Sequence, residues 1–182
     1  ELARLIRDFG EEHRARQVAR AIVRTREAEP IATTTQLADI VRSVVRKAKD
    51  GLDPATRTFQ ALRIQVNDEL GQLDRALAAA ERLLRPDGRL VVVAFHSLED
   101  KRVKAFLSAR SGAKGISRHL PGPAPDAPKS TFTLAKRGTI KPSEAEIRAN
   151  PRCRSSRLRV AVRTDAPAWP ADRVKNNRGR RA

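Results

Sequence analysis

The chain has 182 residues, enough for one domain and part of a second at about 100 to 200 residues each. Its 38 Lys+Arg against 21 Asp+Glu give a formal net charge of +17, a balance expected of a protein that meets polyphosphate. No apolar stretch approaches the roughly 18 residues of a spanning helix. The one cysteine, Cys153, leaves no partner for an internal disulfide, offers no CxxC for zinc, and points to a reducing cytoplasm.

In chain order, Leu2, Leu5, Ile6 and Phe9 recur at helical spacing and stop at Gly10. Ala15, Val18, Ala19 and Ile22 repeat the pattern. Leu37, Ile40, Val41, Val44 and Val45 repeat it again behind a Thr33-Gln36 capping pair, so residues 1 to about 50 read as a small helical bundle. Asp53 as cap and Pro54 at the first helical position open a long helix, with Phe59, Leu62, Val66, Leu70, Leu73, Leu77 and Leu84 on one stripe and Gly71 as a possible kink. Leu90 to Phe95 is an unbroken apolar run, the pattern of a strand covered on both faces. His96-Ser97 turns that strand into a helix, with Ser97 and Asp100 as the expected capping pair and Val103, Phe106 and Leu107 as its buried face.

Residues 111–128 are rich in Gly, Pro and Ser and read as a mobile loop. Phe132 and Leu134 alternate within a short strand. Ser143 with Glu146 caps a short helix stopped at Asn150-Pro151, and Leu158, Val160 and Val162 alternate with arginines in a last strand. From 164 onward Pro167, Pro170 and a basic run indicate a disordered tail, residues 164–182.

Four blocks carry a resemblance. Pro54-Ala-Thr-Arg-Thr-Phe-Gln-Ala-Leu-Arg-Ile-Gln-Val-Asn-Asp-Glu-Leu70, Pro86-Asp-Gly-Arg-Leu90, Phe95-His-Ser-Leu-Glu-Asp100 and Asn150-Pro-Arg-Cys-Arg-Ser-Ser-Arg-Leu-Arg159 together resemble the bacterial 16S rRNA cytosine-N4 methyltransferase family. Asp87, where a second glycine is usual, and Cys153, where alanine is usual, are mild departures.

The resemblance implies an α/β fold: the carboxyl-terminal part of a class I, Rossmann-like methyltransferase sheet plus part of a helical insertion domain. On that reading residues 1–53 belong to the insertion and 54–163 to the methyltransferase domain. It further implies S-adenosylmethionine as cofactor and 16S rRNA of the small ribosomal subunit as partner. The glycine-rich loop that holds the cofactor in the family is not found among the 9 glycines, so the chain, which begins at Glu1 and has no methionine, reads as the later portion of a longer enzyme. The portion alone is expected to be inactive.

The candidate site residues follow. His96 and Ser97 sit beyond the carboxyl end of a strand, where pockets of open α/β sheets lie, and are candidates to line one; the plainer reading, a strand end with Ser97 as helix cap, is the stronger of the two from position alone. Arg57, Arg63 and Asn67 lie on the polar flank of the long helix, which suits a solvated face or a surface against RNA or against the rest of a longer enzyme. Arg152, Arg154, Arg157 and Arg159 form the stronger electrostatic signal, since Leu134 to Arg163 holds 9 Lys+Arg and 2 Asp+Glu. Phosphate contact is their expected role, with clamping of an edge strand to carboxylates as the opposing one. Two function classes compete: a catalytic portion of an rRNA methyltransferase, and a basic RNA-binding or ribosome-associated module without chemistry.

Overall fold

The computed structural model describes residues 1–46, 51–112 and 128–170. It divides into two compact units, Glu1–Glu69 and Leu70–Ala182. The helix that follows Pro54 packs back on the first helix of the chain and belongs with it to the first unit.

Among the described residues unit 1 holds four helices: α1 (Leu2–Gly10), α2 (Ala15–Ala28), α3 (Thr34–Val44) and α4 (Thr56–Asn67). Their apolar stripes meet in a core of Ile6, Val18, Ile22, Ala38, Val41 and Ala55, with Phe59 packed against it. The Thr33-Gln36 capping box forms as expected, the Thr33 hydroxyl accepting from the Gln36 amide while the Gln36 side chain accepts from the Thr33 amide. Gly10 is where α1 crosses α4: a Cβ there would lie 2.5 Å from the Arg57 carbonyl oxygen, so a side chain would force the helices apart. Thr58, also on α4, is fully buried and its hydroxyl has no hydrogen-bond partner among the described residues.

The single long helix expected from residue 54 is two. Asp68 adopts a left-handed conformation (φ 48) that ends α4, and α5 (Glu69–Leu83) starts afresh. The break therefore comes from Asp68, not Gly71, and it throws Val66 off the buried stripe to 81 % exposure. Asp53 is not the helix cap expected of it: α4 begins at Thr56 with Ala55 as N-cap, and the Asp53 carboxylate instead accepts from the Ala55 amide at 2.8 Å in the turn before the helix.

Unit 2 continues with β1 (Arg89–Ala94), α6 (Ser97–Arg110), β2 (Phe132–Leu134), α7 (Glu144–Ala149), a 3-10 turn (Pro151–Ser155) and β3 (Arg157–Arg163). β3 lies between β1 and β2 and is antiparallel to both. The turn into β1 places Asp87 at φ 64, a left-handed backbone that glycine adopts without cost, which is what a second glycine would supply there. Helices α5 and α6 pack Leu77, Val103 and Leu107 on Phe132 and Ala161, with Leu90, Val92 and Leu134 alongside.

That packing covers one face of the sheet. Among the described residues Val91 and Val93, on the opposite face of β1, are 56 % and 52 % exposed, so β1 is not buried on both faces as its apolar run suggests. The register, with Val91 opposite Val160 and Val93 opposite Leu158, makes this open face apolar across two strands. Thr164 to Pro170, expected as part of a disordered tail, is packed: Ala166 is buried and the Trp169 indole N–H donates to the Lys129 carbonyl at 3.0 Å. Residues 171–182, and 113–127 of the expected loop, lie outside the described residues.

A buried ionic cluster ties unit 2 together. Glu81 is 1 % exposed and accepts from Arg110 Nε at 2.6 Å and from the Thr131 hydroxyl at 2.7 Å. The Arg110 guanidinium lies over the Phe106 and Trp169 rings. Arg163 crosses from β3 to donate to the Glu81 and Thr131 carbonyls.

Candidate functional site

The corner after β1 is built by a capping box displaced by one residue from the expected position. His96, not Ser97, is the N-cap of α6: its Nδ1 accepts from the Glu99 amide at 3.4 Å. Glu99 Oε2 returns the bond, accepting from the Phe95 amide at 2.9 Å and the His96 amide at 3.4 Å. Because Nδ1 is an acceptor, the proton of the neutral ring is assigned to Nε2. Nε2 is covered; it lies 3.4 Å from Glu99 Oε1 but makes no hydrogen bond. Ser97 is the first helical residue and is exposed. Glu99 and Asp100 add negative charge to the first turn, which favours the helix dipole.

Asp100 has a different task from the capping expected of it. It receives a two-pronged ion pair from Arg159 of β3, at 2.7 and 2.9 Å, with both side chains largely buried. Arg159 also donates to the Gly138 carbonyl. The register explains this direction: Arg157 stands opposite Ala94 and Arg159 opposite Val92, so these arginines share the sheet face on which α6 packs.

The four-arginine cluster is thereby split. Arg159 is a clamp between β3 and α6, and Arg157 is half-buried and donates to the Ser156 carbonyl. Arg152 and Arg154 stand exposed on the 3-10 turn, which begins where the Asn150 side chain accepts from the Arg152 amide. In unit 1, Arg63 makes a paired bond to Glu69 at 2.7 and 3.2 Å, and the Asn67 amide reaches the same carboxylate at 3.4 Å. Arg57 is half-buried beside Gly10.

Glu99 is the functional-corner residue that sequence reasoning passed over. Its signal was a carboxylate three residues after His96, readable as a capping box once histidine is admitted as a cap. Among the described residues no group of three or more His, Cys, Asp or Glu is placed to hold a metal ion. Nor do the described residues make a cradle for S-adenosylmethionine: β1 runs directly into Phe95 and His96, with no cluster of glycine amides at its end.

The chain matches the model of the MraW methylase family over residues 1–164. It is 63 % identical over 170 residues to the Ribosomal RNA small subunit methyltransferase H of Methylobacterium sp. (strain 4-46), covering 92 % of this chain and 50 % of that protein. The protein of the same name from Rhodospirillum rubrum is 56 % identical over 172 residues, covering 92 % of this chain and 53 % of its own length. The chain thus spans about half the length of the curated relatives it matches. No helix among the described residues is long and apolar enough to cross a membrane. With its family model matched along nearly the whole described length, the chain belongs to the MraW methylase family.

Proposed function

We propose that this chain is the carboxyl-terminal portion of an S-adenosylmethionine-dependent enzyme that methylates the N4 amino group of a cytosine in 16S rRNA. The observation that carries this reading is the family match over residues 1–164, which encloses the His96-Ser97 corner at the carboxyl end of β1. The α/β unit is then part of a Rossmann-like sheet, and α1 to α3 are part of an insertion. The cofactor is held by the part of the relatives' length that this chain does not span.

The chemistry asks mainly for positioning. A cytosine amino group is a weak nucleophile because its lone pair is delocalised into the ring, and the base must be turned out of stacked RNA. The corner supports such a pocket as its rim. His96, with Nδ1 engaged and Nε2 covered, acts as a positioning residue that holds the first turn of α6, while the exposed Ser97 faces the rim. Arg152 and Arg154 are the members of the arginine cluster suited to phosphate contact.

The test is a protein joining this chain to the amino-terminal half of the Methylobacterium relative. With labelled S-adenosylmethionine and small ribosomal subunits it should yield N4-methylcytidine by nucleoside mass spectrometry, and the 182-residue chain alone should yield none. A folded fusion that leaves every 16S cytosine unmodified would overturn the reading. In RNA binding, Arg152→Gln and Arg154→Gln should each lower the slope of log affinity against log salt by about 0.7, while Arg159→Gln should cost stability instead.

A further inference from the structure

We propose that the outer face of α2 is an RNA-binding surface on which Arg16, Arg20 and Arg24 follow a run of phosphates. The three recur every fourth residue, so they stand in one row about 6 Å apart, and all are exposed. The row spans about 12 Å. A nucleic-acid strand in a duplex advances about 3.4 Å per phosphate, so that length matches three or four phosphates.

What distinguishes the row is its lack of carboxylates. Four other exposed arginines of unit 1 are neutralised by neighbours. Arg4 and Arg7 both reach Asp8, Arg42 bonds Asp39 and Asp53, and Arg63 grips Glu69. Along Ala15–Ala28 there are four arginines and one carboxylate, Glu27, and no salt bridge joins any of the row to an acidic side chain among the described residues. Arg20 Nε reaches only the Arg16 carbonyl, at 3.4 Å. The opposite face of α2 buries Val18 and Ile22, so the row is fixed in direction by the core.

The row flanks an open groove with Leu2, Val23 and Val44 among its walls. Glu1 and Glu27 also line it, but Arg26 adds a fourth cation, leaving the groove positive. Guanidinium groups bind phosphate bidentately, and an extended arginine row beside an open groove suits a sugar-phosphate strand better than a compact anion. This inference rests on the reading of the chain as one that acts on RNA, and adds a second contact region in unit 1 to that of Arg152 and Arg154.

Fluorescence anisotropy of a labelled RNA hairpin, titrated with the 182-residue chain over a range of salt, tests it. The R16Q/R20Q/R24Q variant should lower the salt slope by about 2, three contacts at about 0.7 each, while R16K/R20K/R24K should keep it. R4Q/R7Q, whose partners are in place, should leave it unchanged, and matching circular-dichroism melts would show that the fold is intact. If the chain binds the hairpin and R152Q/R154Q lowers the slope but the α2 variant does not, the row is not an RNA surface. If the unaltered chain shows no salt-dependent binding, the wider reading of an RNA-acting protein falls, and this one with it.

Discussion

Removing the Glu81 carboxylate should be the most damaging single change in unit 2. Glu81→Ala would leave Arg110, whose side chain is 7 % exposed, as a buried charge without a counter-ion, and would strip the Thr131 hydroxyl of its acceptor. Orphaning one partner of a buried pair costs about 3 to 5 kcal/mol. With a urea dependence of about 2 kcal/mol per molar, a loss of about 4 kcal/mol moves the unfolding midpoint by about 2 M. Trp169, the only tryptophan, lies against the Arg110 guanidinium and reports this site directly by fluorescence. Glu81→Gln keeps the shape but loses the charge-assisted bond and should cost about 1.5 to 3 kcal/mol. The double change Glu81→Leu with Arg110→Met removes both charges and should come back to within about 1 kcal/mol of the parent. A shift below about 0.5 M for Glu81→Ala, or a double variant as weak as the single, would refute the account.

Three further outcomes are expected. The backbone amide of Ser143, and then its hydroxyl, hold the Glu146 carboxyl below its ordinary value of 4.5. A depressed acid stabilises the folded helix above the unfolded value and loses that contribution as pH falls through the folded one, so amide exchange at the start of α7 should rise in acid, and Glu146→Gln should abolish that dependence. In the fused enzyme His96→Ala should cost about 1 kcal/mol as a lost cap, whereas His96→Asn, a good cap, should restore both the melt and most of the turnover. A stable His96→Asn enzyme without turnover would show that the ring itself meets the substrate. Finally, Thr58→Val removes a buried hydroxyl without a partner and should raise the melting temperature of unit 1, equivalent to about 1 kcal/mol; a drop would mean that the hydroxyl is satisfied.

Local chemistry was legible where a residue type has one strong preference. The Thr33-Gln36 and Ser143-Glu146 boxes stand where the sequence places them. The box at His96 was displaced by one because histidine is not among the usual caps and Ser97 is. Asp68 was passed over as a helix break because Gly71 is the more obvious one, yet the aspartate takes the left-handed turn. The arginines of β3 show a deeper limit. A two-residue period says which side chains share a face but not which face is covered, and Arg159 turned out to lie under α6 while Val160 does not. The same ambiguity hid the open side of β1, since an unbroken apolar run is compatible with cover on either side. Ion pairs between residues far apart in sequence, such as Glu81 with Arg110, have no local signature.

The place of β3 at the centre of the sheet has a consequence for the order of folding. Among the described residues β1 and β2 have no hydrogen-bonded contact with each other and meet only through β3, the last of the described strands. Ala94 pairs with Arg157, so a long loop must close before the first ladder can form. During synthesis α5, β1 and α6 emerge well before the strand that joins β1 to β2. The β1–β3–β2 ladders are therefore completed late, after the other described elements of unit 2 have emerged.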